Sequence, residues 1–325
     1  MIEKLLIGLF NLLPKRLDSR ALFCKYVGFP VIVYKQLKER ILSKLFKTHE
    51  NKRFSKYYKE TKKWFKPEES ISNYTHAEIC IRYSGGSDST YVAAVMTKRF
   101  KKVHLLTLNN SYSVGVIGLP KNTPFLVMEN VVNLKKKFGD DKFHHSFADF
   151  KDLRDEIYFN DYLPRVKDNN YKKVLFCPSC QLAMHIKTII YCLKNKIKYV
   201  SDGATIAYGI DVLQTQNPYA LMEMKDFYEL FGIEYLINPN YFVLNSDVEL
   251  FKMGITSVEN VKKTHRTRET QQYCLIAKFL SLCRRLHGAD TIKIARSFED
   301  AGILSTYFTD SFEKYKKYIL GEAVK

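Results

Sequence analysis

The chain has 325 residues, of which 46% are apolar, with only 14 glycines and 9 prolines; this excludes a disordered protein and is enough for one large or two smaller domains. The formal net charge of +18 suits a polyanionic partner, such as nucleic acid, anionic lipid or a phosphorylated substrate, and equally suits a solvated basic surface. The seven cysteines are an odd number and mostly far apart in the sequence, which argues against a secreted disulfide scaffold and favours a reducing cytoplasm.

Residues 1–70 are predicted to form a basic helical N-terminal segment, with 17 Lys/Arg against 7 Asp/Glu and a net charge of +10. The apolar run 5–13 is too short to span a bilayer, so it is expected to dock on the protein's own core or, less often, to make a peripheral membrane contact. Residues 51–66 interleave aromatic and basic side chains. That pattern suits RNA binding, and suits slightly better an amphipathic helix packed on the rest of the protein.

After residue 75 the pattern changes to alternating strands and helices, which predicts an α/β domain over residues 71–245. The predicted strands are 77–83, 103–108, 142–147, 197–200 and 234–237. The predicted helices are 88–100, 124–138, 149–158, 180–194 and 218–231. This alternation predicts a five-stranded parallel sheet with helices on both faces and with ligands at the carboxyl ends of its strands. Residues 246–325 are predicted to be a helical C-terminal region.

A glycine-containing loop joins the first predicted strand to the first predicted helix. Its residues are Ser84, Gly85, Gly86, Ser87, Asp88 and Ser89. Glycines allow a sharp turn and close approach of an anion to backbone N–H groups, and the helix N-terminus adds partial positive charge. The serine hydroxyls can donate to phosphate oxygens, and the carboxylate suits either a Mg²⁺ ion bridging the phosphates or an N-cap. The loop therefore predicts a site for nucleotide phosphates.

The same six residues match SGGxDS, and from residue 77 to 274 the chain resembles the PP-loop ATP pyrophosphatases. The resemblance implies a fold of the adenine nucleotide alpha-hydrolase (HUP) type, with ATP and Mg²⁺ as cofactors and Asp88 in a catalytic role. It also implies the reaction. ATP is cleaved between its α- and β-phosphates, a carbonyl-type oxygen is adenylated with release of pyrophosphate, and a nucleophile then displaces AMP.

Further positions follow from this resemblance. Leu108 and Asn109, at the end of the second strand, would border the adenine, and Asp202 and Gly203, at the end of the fourth, would line the same cleft. Family members follow the fifth strand with a proline and then a lysine. This chain keeps the proline at position 239 but has Asn245 where the lysine is expected.

Cys177 and Cys180 form a CxxC motif that is expected to open the helix before the fourth strand. A helix N-terminus favours the thiolate, which is the form needed for metal ligation, persulfide carriage or nucleophilic attack. A third thiolate from Cys274 would complete the ligands of a [4Fe-4S] cluster with one open iron, or of a zinc ion with a fourth ligand such as His185. The alternatives are packing cysteines and a core histidine.

Two subgroups of the family resemble the chain. Cys177, Cys180 and Cys274 are arranged as in the cluster-dependent tRNA 2-thiolation enzymes. Thr90-Tyr91, together with a CxxC-like pair before the same helix, also resembles the N-acetyl sugar amidotransferases of surface polysaccharide pathways. The resemblance therefore implies adenylation followed by sulfur transfer, with tRNA or a nucleobase as acceptor. The alternatives are nitrogen transfer to a sugar, near a membrane, and a non-catalytic nucleotide- or RNA-binding module.

Two groups of basic side chains remain. His144 and His145 lie on the third predicted strand and could serve as acid–base groups. Alternation turns one of them towards the packed side of the sheet, so structural roles are favoured. Residues 262–268 form a second basic run, which could contact pyrophosphate or an RNA backbone, or lie in a solvated loop.

Overall fold

The structure is a computed structural model that describes residues 58–63, 65, 74–109, 123–162, 176–205, 216, 218–238, 240–243, 246–256 and 298–325. For residues 123–126, 162, 176–177 and 298–307 it describes the backbone. Most of the predicted N-terminal segment, the second basic run, Asn245 and Cys274 lie outside the described residues.

Within these ranges, five strands form one sheet. They are β1 (Tyr74–Arg82), β2 (Phe100–Asn109), β3 (Phe143–Asp149), β4 (Tyr199–Asp202) and β5 (Glu234–Tyr235). Their order is β3-β2-β1-β4-β5, and every neighbouring pair is parallel. The predicted α/β class with a five-stranded parallel sheet is confirmed. The strand order reverses between β1 and β4, and the crevice at their carboxyl ends is where open α/β sheets bind ligands.

Helices cover both faces of the sheet, as predicted. They are α1 (Ser87–Met96), α2 (Thr123–Phe138), α3 (Lys151–Glu156), α4 (Phe176–Lys194), α5 (Pro218–Glu229), α6 (Ser246–Lys252) and α7 (Phe298–Val324), and a π-helical turn, Ile157–Tyr162, continues α3. We call the face covered by α1, α2 and α6 the loop face, and the face covered by α3, α4, α5 and α7 the cysteine face. Side chains alternate along each strand, so Ile79 and Ile81 enter the loop-face core while Cys80 enters the cysteine-face core.

Several boundaries differ from the predicted ones. β1 begins at Tyr74 because this residue pairs with Phe100 and stacks on its ring, with centroids 5.0 Å apart. The first helix was predicted to reach residue 100 but ends at Met96, where Thr97 Oγ1 donates to the Ala94 carbonyl at 2.6 Å. β5 is two residues long instead of four. The predicted pattern of strands and helices is unchanged by these shifts.

The C-terminal helix α7 packs on the cysteine face. Phe312 stacks on Phe227 of α5, with ring centroids 3.9 Å apart. Lys314 Nζ and Ser311 Oγ donate to the buried Asp161 of the π-helical turn at 3.1 and 3.5 Å. Across the described ranges, no helix combines the length and apolarity required to cross a membrane.

Candidate nucleotide-binding site

The loop between β1 and α1 turns sharply at Gly85, whose φ is +77°. A Cβ at this position would lie 2.7 Å from Val127 Cγ2 and 2.9 Å from Val127 Cα, so both the conformation and the space require glycine. Asn130 Nδ2 donates to the Gly85 carbonyl at 2.7 Å. Helix α2 therefore holds the loop from its side.

The hydroxyl groups of the loop bond to one another and to its backbone. Ser84 Oγ and Ser89 Oγ are 3.1 Å apart, and the Gly86 N–H donates to Ser84 Oγ at 3.3 Å. The Gly86 carbonyl accepts from Ser89 Oγ at 3.1 Å and from Thr90 Oγ1 at 2.8 Å. Among the described residues no side chain caps α1 at Gly86, so the N–H groups of its first turn can bind an anion.

Asp88 lies in the first turn of α1 and faces α6. Ser246 Oγ donates to Asp88 Oδ1 at 2.6 Å. Burial raises the pKa of Asp88, the Ser246 hydrogen bond opposes this rise, and the nearby Asp247 adds to it. The ionised carboxylate is thus short of positive charge, and a divalent cation would supply it. Because Mg²⁺ commonly binds through one carboxylate together with substrate phosphates and water, Asp88 fits a Mg²⁺ ion that arrives with a nucleotide.

The end of β4 meets the loop through Gly203. A Cβ on Gly203 would lie 2.6 Å from the Ser89 backbone nitrogen, so β4 touches the start of α1 only because no side chain intervenes. The neighbouring Asp202 is buried and points to the cysteine face, where it accepts hydrogen bonds from Tyr235 OH at 2.8 Å and from the Ala204 N–H at 2.9 Å. Gly203 therefore lies against the loop, whereas the carboxylate of Asp202 is engaged within the protein.

Leu108 and Asn109 end β2 at the same edge of the sheet, one strand away from the loop. The side chain of Leu108 packs against the cysteine-face core. The Asn109 carbonyl accepts from the Phe150 N–H at 3.2 Å, which ties this strand end to β3 and α3. Both residues border the carboxyl edge of the sheet at which the loop lies.

The CxxC motif lies at the start of α4, with Cys177 in its first turn. Cys180 is half-buried and packs against the cysteine-face core. The side chains of Cys177 and Cys274 lie outside the described part, so the convergence of three thiolates stays a prediction. In the part of the chain that is described, no three His, Cys, Asp or Glu side chains lie close enough to hold a metal ion.

His185, the other proposed zinc ligand, is a core residue. It is buried, and its Nδ1 lies 3.1 Å from Tyr228 OH. Burial, and after it the charge of Arg82, holds the pKa of His185 well below its ordinary value. This agrees with the alternative prediction that His185 is a core histidine and not a zinc ligand.

Arg82, Gln181 and Tyr235 belong to a buried network that sequence reasoning missed. Arg82 Nη1 donates to Gln181 Oε1 at 3.0 Å, and Nη2 forms an ion pair with Asp202. The side chains of Arg82 and Asp202 are 13% and 5% exposed. The signal in the sequence was an arginine inside the apolar run 79–83, because a buried charge there requires a partner.

The two adjacent histidines of β3 point to opposite faces. His144 is exposed, whereas His145 is half-buried on the loop face, with its Nε2 2.8 Å from Thr107 Oγ1 and its ring edge-to-face with Tyr83. Burial first, and then Lys135 and His144, lower the pKa of His145 to about 4. A neutral imidazole that packs under the loop is a structural residue, as the alternation along β3 favoured.

No protein-family model matches this chain, and no curated protein matches its sequence. Among solved structures, it is similar to the U34-tRNA thiolase NcsA from Methanococcus maripaludis with its [4Fe-4S] cluster. The TM-score is 0.33 and the identity 11%, over 80% of this chain and 79% of that chain. A likeness at this distance transfers no residue roles, and the roles proposed below rest on the contacts within this chain and on its sequence motif.

Proposed function

We propose that this protein binds ATP with its phosphates on the loop 84–89, adenylates a carbonyl-type oxygen and releases pyrophosphate. The observation that carries the proposal is the loop itself. An SGGxDS sequence turns at a positive-φ glycine into a helix N-terminus without a side-chain cap among the described residues, at the point where the strand order reverses. Glycine loops at such helix ends bind phosphate through backbone N–H groups.

The proposed first step is displacement at the α-phosphorus. The acceptor oxygen forms a bond to that phosphorus, the bond between the α-phosphorus and the bridging oxygen to the β-phosphate breaks, and pyrophosphate leaves with the electron pair. The N–H groups of the first turn of α1 and the hydroxyls of Ser84 and Ser87 would bind the departing pyrophosphate. Mg²⁺ held by Asp88, when bound, would neutralise charge on the phosphates.

In the proposed second step a sulfur nucleophile attacks the activated carbon, and AMP leaves with the original oxygen. Sulfur takes precedence over nitrogen because the sequence offers a third cysteine, Cys274, in addition to the pair Cys177 and Cys180, as in the thiolation enzymes. Thr90 belongs to the pair Thr90-Tyr91 that resembles the amidotransferases, and its hydroxyl donates to the loop carbonyl of Gly86 and lies 3.1 Å from Tyr83 OH. That contact accounts for Thr90 within the loop and gives nitrogen transfer no separate support.

The acceptor is proposed to be a nucleobase, in tRNA or another RNA. The net charge of +18 supports a polyanionic partner. A [4Fe-4S] cluster or a zinc ion on Cys177, Cys180 and Cys274 belongs to the same proposal. Such a group would hold or deliver the sulfur.

The test uses ATP labelled at the α-phosphate with a pool of unmodified tRNA transcripts. We expect the full-length protein to form AMP and pyrophosphate, and we expect Asp88→Asn to slow this by about a thousandfold, as for loss of a metal ligand at a phosphoryl site. The matched control is Glu229→Gln, an exposed carboxylate at the end of α5.

Asparagine keeps an acceptor for Ser246 and removes a carboxylate whose ionisation is opposed by burial, so Asp88→Asn should not unfold the protein at pH 7. Loss of activity in a folded variant would support the proposal. Formation of ADP instead of AMP, or equal rates for Asp88→Asn and the wild type, would refute it.

A further inference from the structure

Arg82 is the last residue of β1 and stands two positions before the first serine of the loop. Its side chain leaves the strand on the cysteine face, away from α1. There its guanidinium contacts two elements that are far apart in the sequence: Asp202 at the end of β4, and Gln181 in the second turn of α4. One side chain therefore joins the base of the loop to the helix that carries the CxxC motif.

Both partners of the ion pair are held by further contacts. Asp202 also accepts from Tyr235 OH and from the Ala204 N–H, so the carboxylate has a fixed orientation. Arginine suits this place because its planar guanidinium presents several donors in fixed directions, which a lysine ammonium does not. Well-packed apolar side chains would stabilise the fold as much as a buried ion pair does. Stability alone therefore does not explain the polar network, and we look for its role in positioning other residues.

Gln181 directly follows Cys180, and consecutive Cα atoms are about 3.8 Å apart. The Arg82 contact at 3.0 Å to Gln181 Oε1 thus restrains the backbone of α4 beside the Cys180 thiol. Helix α4 begins at Phe176, so only four helical residues, 176–179, precede Cys180. Helix ends of this kind open locally unless tertiary contacts hold them.

We propose that Arg82 is a positioning residue that, through Gln181, holds the Cys180 end of α4 in place relative to the nucleotide loop. The proposal rests on the proposed function in one respect: that function makes Cys180 one of the residues that hold the group carrying the sulfur. The restraint itself is a property of the ligand-free protein. It can therefore be tested whether or not the protein proves to adenylate a substrate.

The experiment measures the rate at which iodoacetamide alkylates Cys180, read peptide by peptide by mass spectrometry on the ligand-free full-length protein. In Gln181→Ala the Arg82–Asp202 pair stays intact while the link to α4 is lost. We expect the rate at Cys180 to rise about fivefold, the factor that corresponds to the loss of one hydrogen bond. Gln181→Glu, which still offers an acceptor to Arg82, should restore the wild-type rate.

Lys187→Ala, two turns further along α4, is the matched control and should leave the rate unchanged. A double variant, Arg82→Met with Gln181→Ala, should react no faster than Arg82→Met alone, because the two residues act on Cys180 through the same contact. If Arg82→Met does not fold, the Gln181 pair decides alone. A wild-type rate in Gln181→Ala, or an unchanged high rate in Gln181→Glu, would overturn the proposal.

Discussion

At the carboxyl ends of β1 and β4, the contacts on the two faces of the sheet are of different kinds. On the loop face, the loop 84–89 is held by short contacts within six residues and by Asn130 and Val127 of α2. On the cysteine face, long charged and polar side chains bridge residues about a hundred positions apart. We propose that the first arrangement presents N–H groups to an anion. The second places the Arg82–Asp202 ion pair at the corresponding strand ends.

This difference suggests a division of work between the faces. A site that binds phosphate needs donors that are open to the crevice, and we propose that these come from the helix end and from the hydroxyls of Ser84 and Ser87. A site that presents a thiol needs a helix end held in a fixed place, and this comes from Arg82 and its partners. Substitutions on each face test whether the two faces also differ in the free energies that their contacts contribute.

The largest expected effect is on the cysteine face. Asp202→Ala leaves the buried Arg82 guanidinium without its counter-charge, and we expect the free energy of unfolding to fall by about 3–5 kcal/mol. Urea denaturation followed by circular dichroism measures it. The matched control is Asp140→Ala, which breaks the ion pair of Lys135 with an aspartate that is 86% exposed, and should cost less than about 1 kcal/mol. Similar losses in both variants would mean that burial of the pair contributes nothing.

On the loop face, we expect Gly203→Ala to reduce ATP affinity by about a hundredfold, or roughly 3 kcal/mol. The new Cβ would meet the Ser89 backbone nitrogen at 2.6 Å and would push the first turn of α1 out of position. Isothermal titration with ATP and Mg²⁺ measures the effect. Gly321→Ala, in the open on α7, is the control. If Gly203→Ala binds ATP as the wild type does, the contact between β4 and the loop is not needed for the nucleotide.

The same contrast explains how much could be predicted from sequence. The loop 84–89 and the alternation of strands and helices depend on neighbours in the chain, so the fold class and the turn from β1 into α1 could be predicted. Arg82 contacts Gln181, which is 99 residues away in the sequence, and Ser246 contacts Asp88, which is 158 residues away. Such pairs depend on the order of the strands in the sheet, which the hydrophobic periodicity of the sequence does not specify. The family resemblance pointed to Asp202, but it could not reveal that its carboxylate is bound to Arg82.

A smaller effect is expected from His145 beneath the loop. Its pKa of about 4 in the folded protein lies below the ordinary value of 6.5, so between these values the unfolded chain takes up a proton that the folded protein does not. Stability is therefore lost as the pH falls from 6.5 towards 4, by about 2 kcal/mol at pH 4.5. His145→Gln should remove this share of the acid sensitivity, and His144→Gln, on the exposed neighbour, should not. Unfolding at pH 4.5 and pH 7 measures both, and parallel curves for His145→Gln and the wild type would contradict it.

The smallest effect concerns the contact between α6 and the loop. Ser246→Ala removes the hydroxyl that donates to Asp88 Oδ1, and we expect it to cost about 1 kcal/mol of stability. Because that hydrogen bond lowers the pKa of Asp88 while burial raises it, the variant should also shift the acid limb of Mg²⁺-dependent pyrophosphate release to higher pH. Ser246→Thr keeps a hydroxyl and should keep the wild-type pH profile. If alanine and threonine gave the same profile, Ser246 would hold α6 in place without acting on the carboxylate of Asp88.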